Sequence, residues 1–146
     1  MIYQYDDGGR LAAGFKARAD DCVCRSIAIA GKLDYQAVYN RLALGNFSQR
    51  RSKHDEGKRV RSARNGISTR RKWFPDYMKA MGFAWTATCK PGSTERVHLI
   101  PDELPSGRLV VAVSKHYTAV IDGVLHDTHD CSRDGTRMVY GYWLAS

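Results

Sequence analysis

No apolar run in this chain approaches the roughly 18 residues that a membrane-spanning helix requires, so a transmembrane protein is not expected. The N-terminus, Met1-Ile2-Tyr3-Gln4-Tyr5-Asp6-Asp7, has neither a basic start nor an apolar stretch, which argues against a secretory signal. Cysteine is scarce. Four residues, Cys22, Cys24, Cys89 and Cys131, are too few for a disulfide scaffold in a soluble chain of 146 residues, and free thiols in a reducing, cytoplasmic setting are expected. Internal repeats are absent. What is present is an ordinary balance of 43% hydrophobic and 26% charged residues, enough to exclude a wholly disordered chain and to predict a single domain over 1–146.

Charge is unevenly placed. The formal net charge is +8. Residues 50–72 supply Arg50, Arg51, Lys53, Lys58, Arg59, Arg61, Arg64, Arg70, Arg71 and Lys72 against only Asp55 and Glu56, so the rest of the chain is neutral. The basicity is a local feature. Residues 46–67 are polar and nearly free of large apolar groups, which predicts a mobile basic loop.

The two halves differ in period. After a glycine-rich lead-in with a short strand at Ile2–Tyr5, Asp20 and Asp21 are N-cap residues for a helix through Val23, Ile27 and Ala30 that Gly31 ends. Asp34 caps a second helix with Tyr35, Val38, Tyr39 and Leu42 on its apolar stripe, up to Gly45. Ser68 or Thr69 caps a third helical stretch to Gly82, with Pro75 kinking it or beginning its last piece. Thereafter 83–88, 96–100, 109–114, 117–121, 124–128 and 138–143 read as short strands rich in branched and aromatic residues, separated by Pro/Gly/Asp turns. Helices followed by an antiparallel meander predict an α+β fold.

The most informative stretch is the hairpin around Asp122-Gly123, a dipeptide suited to a two-residue turn with positive φ. Centring the turn there pairs Ile121 with Val124, Val120 with Leu125, Thr118 with Asp127 and His116 with His129. His116, Thr118 and Asp127 then share one face, with His116 and Asp127 as diagonal neighbours, and that face is expected to look toward a nucleophile. A histidine oriented by a carboxylate is the base half of such a site. Cys22 supplies the other half. Directly after Asp20-Asp21, it falls in the first turn of a helix, where the dipole stabilises a thiolate and free backbone N–H groups suit an oxyanion.

The order Cys22, then His116 and Asp127 on strands of the C-terminal half, resembles the papain-like cysteine peptidases. Asp21-Cys22 is similar to the Asp-Cys pair that opens the catalytic helix of the bacteriocin-processing peptidase domains. The runs Asp21 to Gly31, Ser114-Lys115-His116, Asp122 to Thr128, Ser132 to Gly135 and Tyr140 to Trp143 resemble small bacterial and phage proteins of papain-like type. The resemblance implies N-terminal helices packed on a C-terminal antiparallel sheet. It also implies a hydrolase, most readily a peptidase, that cleaves a peptide or isopeptide bond through Cys22, His116 and Asp127, with a protein or peptide substrate and no cofactor. Members usually carry a Gln about six residues before the Cys to complete the oxyanion hole, and this chain has Lys16 there. Either Lys16 or Gln4 takes that part, or the activity is altered or absent.

Plainer readings stand beside these. Cys24, two residues into the helix on a different face, is read as core or as a redox partner for Cys22. His126 points away from His116 and is read as structural, and Cys89 as a partly buried thiol. A zinc site from His116, His129, Cys131 and the Cys22-Val23-Cys24 pair is a lesser expectation, because a C-x-C pair lacks the usual ligand spacing; no metal is expected. The basic residues Arg50, Arg51, Lys58, Arg59, Arg61, Arg64, Arg70 and Arg71 support an alternative function, a non-catalytic module binding nucleic acid or an acidic protein.

Overall fold

The computed structural model describes residues 1–15, 21–48, 69 and 72–146. Among the described residues, three α-helices, α1 (Cys22–Gly31), α2 (Tyr35–Ser48) and α3 (Trp73–Ala80), precede most of a seven-stranded sheet. Its strands are β1 (Ile2–Tyr5), β2 (Phe83–Ala87), β3 (Val97–His98), β4 (Arg108–Val113), β5 (His116–Ile121), β6 (Val124–Asp127) and β7 (Met138–Ala145). The fold is α+β. The strand order is β1-β6-β5-β4-β7-β2, with β3 also on β7. The expected wholly antiparallel sheet is corrected at one edge, where β1 runs parallel to β6 and pairs Gln4 with His126 and Tyr5 with Asp127. That pairing uses the free edge of the hairpin to satisfy the backbone of an otherwise unpaired N-terminal strand.

Helix α1 is hydrophobic nearly all round, and Val23 through Ala30 are buried. Gly31 is its last residue, as expected, and the left-handed cap at φ 53° is Lys32. Asp34 caps α2 as expected, accepting the Ala37 N–H at 3.0 Å. Helix α2 continues past Gly45 to Ser48, so the expected loop from 46 begins as helix. Glycine is needed at position 45 because the Trp73 ring lies where a side chain would be, 2.4 Å from the position of a Cβ. Helix α3 begins only at Trp73, later than a Thr69 cap predicts. Pro75 therefore falls in the first turn, where its missing N–H costs no hydrogen bond. The expected caps Asp20 and Ser68, and the remainder of the basic loop, lie outside the described residues.

Two cores sandwich the sheet. Ile27, Leu42, Phe74 and Met78 of the helices pack with Val110, Ala119 and Trp143 on one face. Leu109, Val111, Val113, Val120, Leu125 and Val139 pack on the other, covered by Leu99, Leu104 and Cys131 from connecting segments. The hairpin register is the expected one: Ile121 faces Val124 and Val120 faces Leu125, with Asp122 and Gly123 at φ 47° and 80°.

Among the described residues no α-helix packs on the second core, so its strength tests the architecture. Leu125 is fully buried there. Leu125→Ala should cost about 2–5 kcal/mol, read as a shift of the urea midpoint. A cost below about 1 kcal/mol would mean that this face is not a true core.

Candidate functional site

The β5–β6 hairpin and the N-terminus of α1 converge on one carboxylate. Asp127, the last residue of β6, is 3% exposed. Its Oδ2 accepts a hydrogen bond from His116 Nε2 at 2.7 Å and lies 3.7 Å from the Cys131 thiol. Its Oδ1 accepts the Thr128 backbone N–H at 2.7 Å and sits 3.5 Å from Arg25 Nη2. Because Nε2 is engaged by Asp127, Nδ1 is the ring nitrogen left for another partner. The half-buried Cys22 thiol lies next to the imidazole, within hydrogen-bonding influence of it.

The electrostatics follow from this geometry. Burial works against the His116 cation, but hydrogen bonds to Asp127, Cys131 and Cys22 outweigh it and raise the imidazole pKa to about 11. Burial likewise opposes the Asp127 anion, and the bond from His116 overcomes that, holding the carboxyl down at about 2. The pair is therefore ionised through neutral pH. Cys24 is the opposite case. It is fully buried, its thiol points at the Tyr35 carbonyl, and burial and then the Asp21 charge push it up to about 12. Of the two thiols in the Cys-Val-Cys run, Cys22 is the one facing His116.

Helix α1 meets this pair in an unexpected way. By strand alternation, Tyr117, Ala119 and Ile121 face α1, while His116, Thr118 and Val120 belong to the opposite face. The face bearing His116, Thr118 and Asp127 thus does not lie under the helix as expected. His116 begins β5 and Asp127 ends β6, so both sit at the sheet margin, where Arg25 and Cys22 of α1 approach them.

Asp21 differs from its expected role too. It occupies the N-cap position, and its carbonyl accepts the Arg25 N–H at 2.9 Å, but its carboxylate makes no cap hydrogen bond. The carboxylate is fully enclosed instead, paired with Arg25 one turn on, with Arg10 at 3.4 Å, and with the Tyr35 hydroxyl, which donates to it. A buried cation draws the carboxylate more strongly than amides that water or substrate can reach. The result is a chain of contacts from Arg10 and Tyr35 through Asp21, Arg25 and Asp127 to His116. Sequence reasoning missed Arg25; the i,i+4 spacing of Asp21 and Arg25 was the available signal.

Other expected participants fall elsewhere. Gln4 is on edge strand β1, and its side-chain amide donates to its neighbour's carbonyl on Tyr5, so the geometry gives it no part in the cluster. Lys16 lies outside the described residues, as do Arg50, Arg51, Lys58, Arg59, Arg61, Arg64, Arg70 and Arg71. His126 is on the opposite face, half-buried, 3.3 Å from Asp6. His129 is exposed, its ring centroid 5.1 Å from that of His116. Cys131, the thiol of the lesser zinc expectation, is buried beside Asp127. Beyond Tyr117, the residue after His116, a cavity of about 280 Å³ opens between Phe74, Trp85 and Trp143, with Lys79 on its lining. Comparison with protein-family models, with curated proteins and with solved structures gives no match.

Two measurements check this electrostatic reading. A folded imidazole that holds its proton more tightly than the unfolded one stabilises the fold fully below about pH 6.5, and that stability fades as pH climbs toward 11. The stability gap between the protein and His116→Gln should therefore narrow steadily from pH 7 to 10; a flat gap refutes the raised pKa. The depressed Asp127 pKa adds stability that is present above about pH 3.9 and lost as pH falls toward 2. Asp21→Asn, which strips a buried cation of its nearest partner, should cost about 3–5 kcal/mol in chemical denaturation. A cost within 0.5 kcal/mol, the usual range for a surface change, would remove Asp21 from the network.

Proposed function

We propose that this protein is a cysteine-nucleophile hydrolase of papain-like type, acting on a peptide or isopeptide bond. The observation that carries the proposal is the convergence of three groups from distant parts of the chain. A half-buried thiol at the start of α1 lies beside an imidazole whose far nitrogen is held at 2.7 Å by a buried carboxylate. In the reaction, His116 already holds its proton as the imidazolium partner of the attacking Cys22 sulfur, and Asp127 stabilises that cation and fixes its orientation. The Cys22 sulfur attacks the carbonyl carbon. The oxyanion forms near the first amides of α1, which lie outside the i→i−4 ladder. The tetrahedral adduct collapses as His116 returns the proton to the leaving amine, leaving a thioester. Water, deprotonated by His116, hydrolyses the thioester and frees the acid and the thiol.

Arg25 is a positioning residue in this scheme. It reaches Asp127 Oδ1 while Oδ2 serves His116, so it orients the carboxylate without competing for the imidazole. Its own charge is balanced by Asp21. The aromatic cavity bordered by Tyr117, the residue after His116, would take an apolar substrate side chain. The alternative, a basic binding module, rests on residues 50–72, nearly all of which lie outside the described residues.

Iodoacetamide at neutral pH, read by peptide mass spectrometry, should modify Cys22 ahead of Cys24, Cys89 and Cys131, and a thiol-directed acylating probe should label Cys22 only when His116 is intact. Asp127→Asn should slow that acylation by about 10²–10⁴-fold. Faster labelling of Cys24, or acylation unchanged in His116→Ala, would overturn the hydrolase reading.

A further inference from the structure

The mechanism leaves two buried thiols without a task, Cys24 and Cys131, and the second lies at the site itself. Cys131 is 3% exposed, and its sulfur lies 3.7 Å from Asp127 Oδ2, the same oxygen that accepts from His116. One donor atom each from His116, Asp127 and Cys131 lies within 4.8 Å of the others. These three residues come from β5, from the end of β6 and from the loop after it, so the hairpin and its following loop bring them together.

We propose that His116 Nε2, Asp127 Oδ2 and Cys131 Sγ form a binding site for one thiophilic divalent cation, zinc above all, and that its occupation switches the site off. The switching half of this proposal rests on the hydrolase reading; the binding half does not. One nitrogen, one carboxylate oxygen and one sulfur are a borderline-soft donor set that suits zinc and disfavours magnesium and calcium. Tetrahedral zinc with ordinary bond lengths sets its nitrogen and oxygen ligands about 3.3 Å apart and its sulfur and oxygen ligands about 3.6 Å apart. The sulfur–oxygen separation of 3.7 Å already meets this, and the nitrogen–oxygen separation of 2.7 Å must open slightly. Water fills the fourth position. On binding, the Cys131 thiol and His116 Nε2 each release a proton to the buffer as the metal takes up their lone pairs.

The neighbours bear on affinity in opposite senses. The Thr128 N–H and Arg25 Nη2 hold Asp127 Oδ1, fixing the carboxylate with Oδ2 presented, as partners of metal-bound carboxylates do. Arg25 also opposes a second cation, but Asp21 already neutralises it. Occupation and catalysis exclude each other for a geometric reason. The metal takes Nε2 and Oδ2, the two atoms of the hydrogen bond that orients the imidazole toward Cys22. The reaction therefore loses its base whenever the metal is bound.

The test uses tag-free full-length protein, zinc alone and a chromogenic chelator in competition. One equivalent should bind, Cys131→Ala should weaken binding at least 100-fold, and zinc should slow acylation of Cys22 in the protein but not in Cys131→Ala. Absence of binding, or equally tight binding by Cys131→Ala, overturns the site. Should that variant misfold, cobalt binding to Cys22→Ala decides. This background keeps all three donors and removes the accessible thiol beside them, so a thiolate-to-cobalt charge-transfer band supports the site and its absence overturns it. Tight, Cys131-dependent zinc binding without any effect on Cys22 acylation overturns the switch alone. Zinc-free protein whose Cys22 acylation ignores His116 overturns the hydrolase reading and leaves the metal site standing.

Discussion

A single buried carboxylate organises this molecule. Asp127 joins the hairpin to itself through His116, to the following loop through the Thr128 amide and Cys131, and to the helical layer through Arg25. Burying an anion is costly unless every lone pair finds a donor. Here both oxygens do, and the cost of desolvation is turned into tight hold on a proton by the imidazole. The paired shifts, one carboxyl down at about 2 and one imidazole up at about 11, are two views of that one bond.

The sheet margin is where such an arrangement can exist. Within the sheet, strand alternation assigns each residue to one core or the other, and both cores are apolar. At the first residue of β5 and the last of β6 the sheet ends, and their polar side chains meet groups from the start of α1. The helix start supplies a thiol and free amides there. Tyr117, next in the strand, turns to the helical side and borders an aromatic cavity. Chemistry-bearing residues collect where packing constraints are weakest but backbone support is still rigid.

Arg25 and Asp21 show how the helical layer is kept in position against that margin. An ion pair inside one helix fixes neither helix nor sheet. This one does, because Tyr35 of α2 and Arg10 of the N-terminal segment share Asp21 and Asp127 shares Arg25. The network spans the lead-in segment, α1, α2 and β6. It sets the distance between Cys22 and His116 through charges whose separation is expensive to change.

Much of this was readable from residues alone, because it depends on local rules. Asp-Gly tolerates positive φ, so the turn and the register of the hairpin followed, and with them the nearness of His116 to Asp127. Asp34 capped its helix, and the change of period separated helices from strands. What local rules did not decide was which partner a polar group takes when several are in reach. Asp21 was suited to cap a helix and instead paired with Arg25, because a buried cation outbids exposed amides. Ile2–Tyr5 was legible as a strand, but its parallel pairing with β6 depended on a sheet edge far along the chain, with Ile2 opposite Val124. The side on which α1 packs, against Val110, Ala119 and Trp143, and so the marginal approach of Cys22 to His116, followed from tertiary packing and from no local rule. Cys131 carried no signal by spacing; only folding of the loop after β6 brought its sulfur to Asp127. Period, turn and cap are properties of neighbours in sequence, whereas charge pairing and face selection are settled by the whole chain competing for its buried surface.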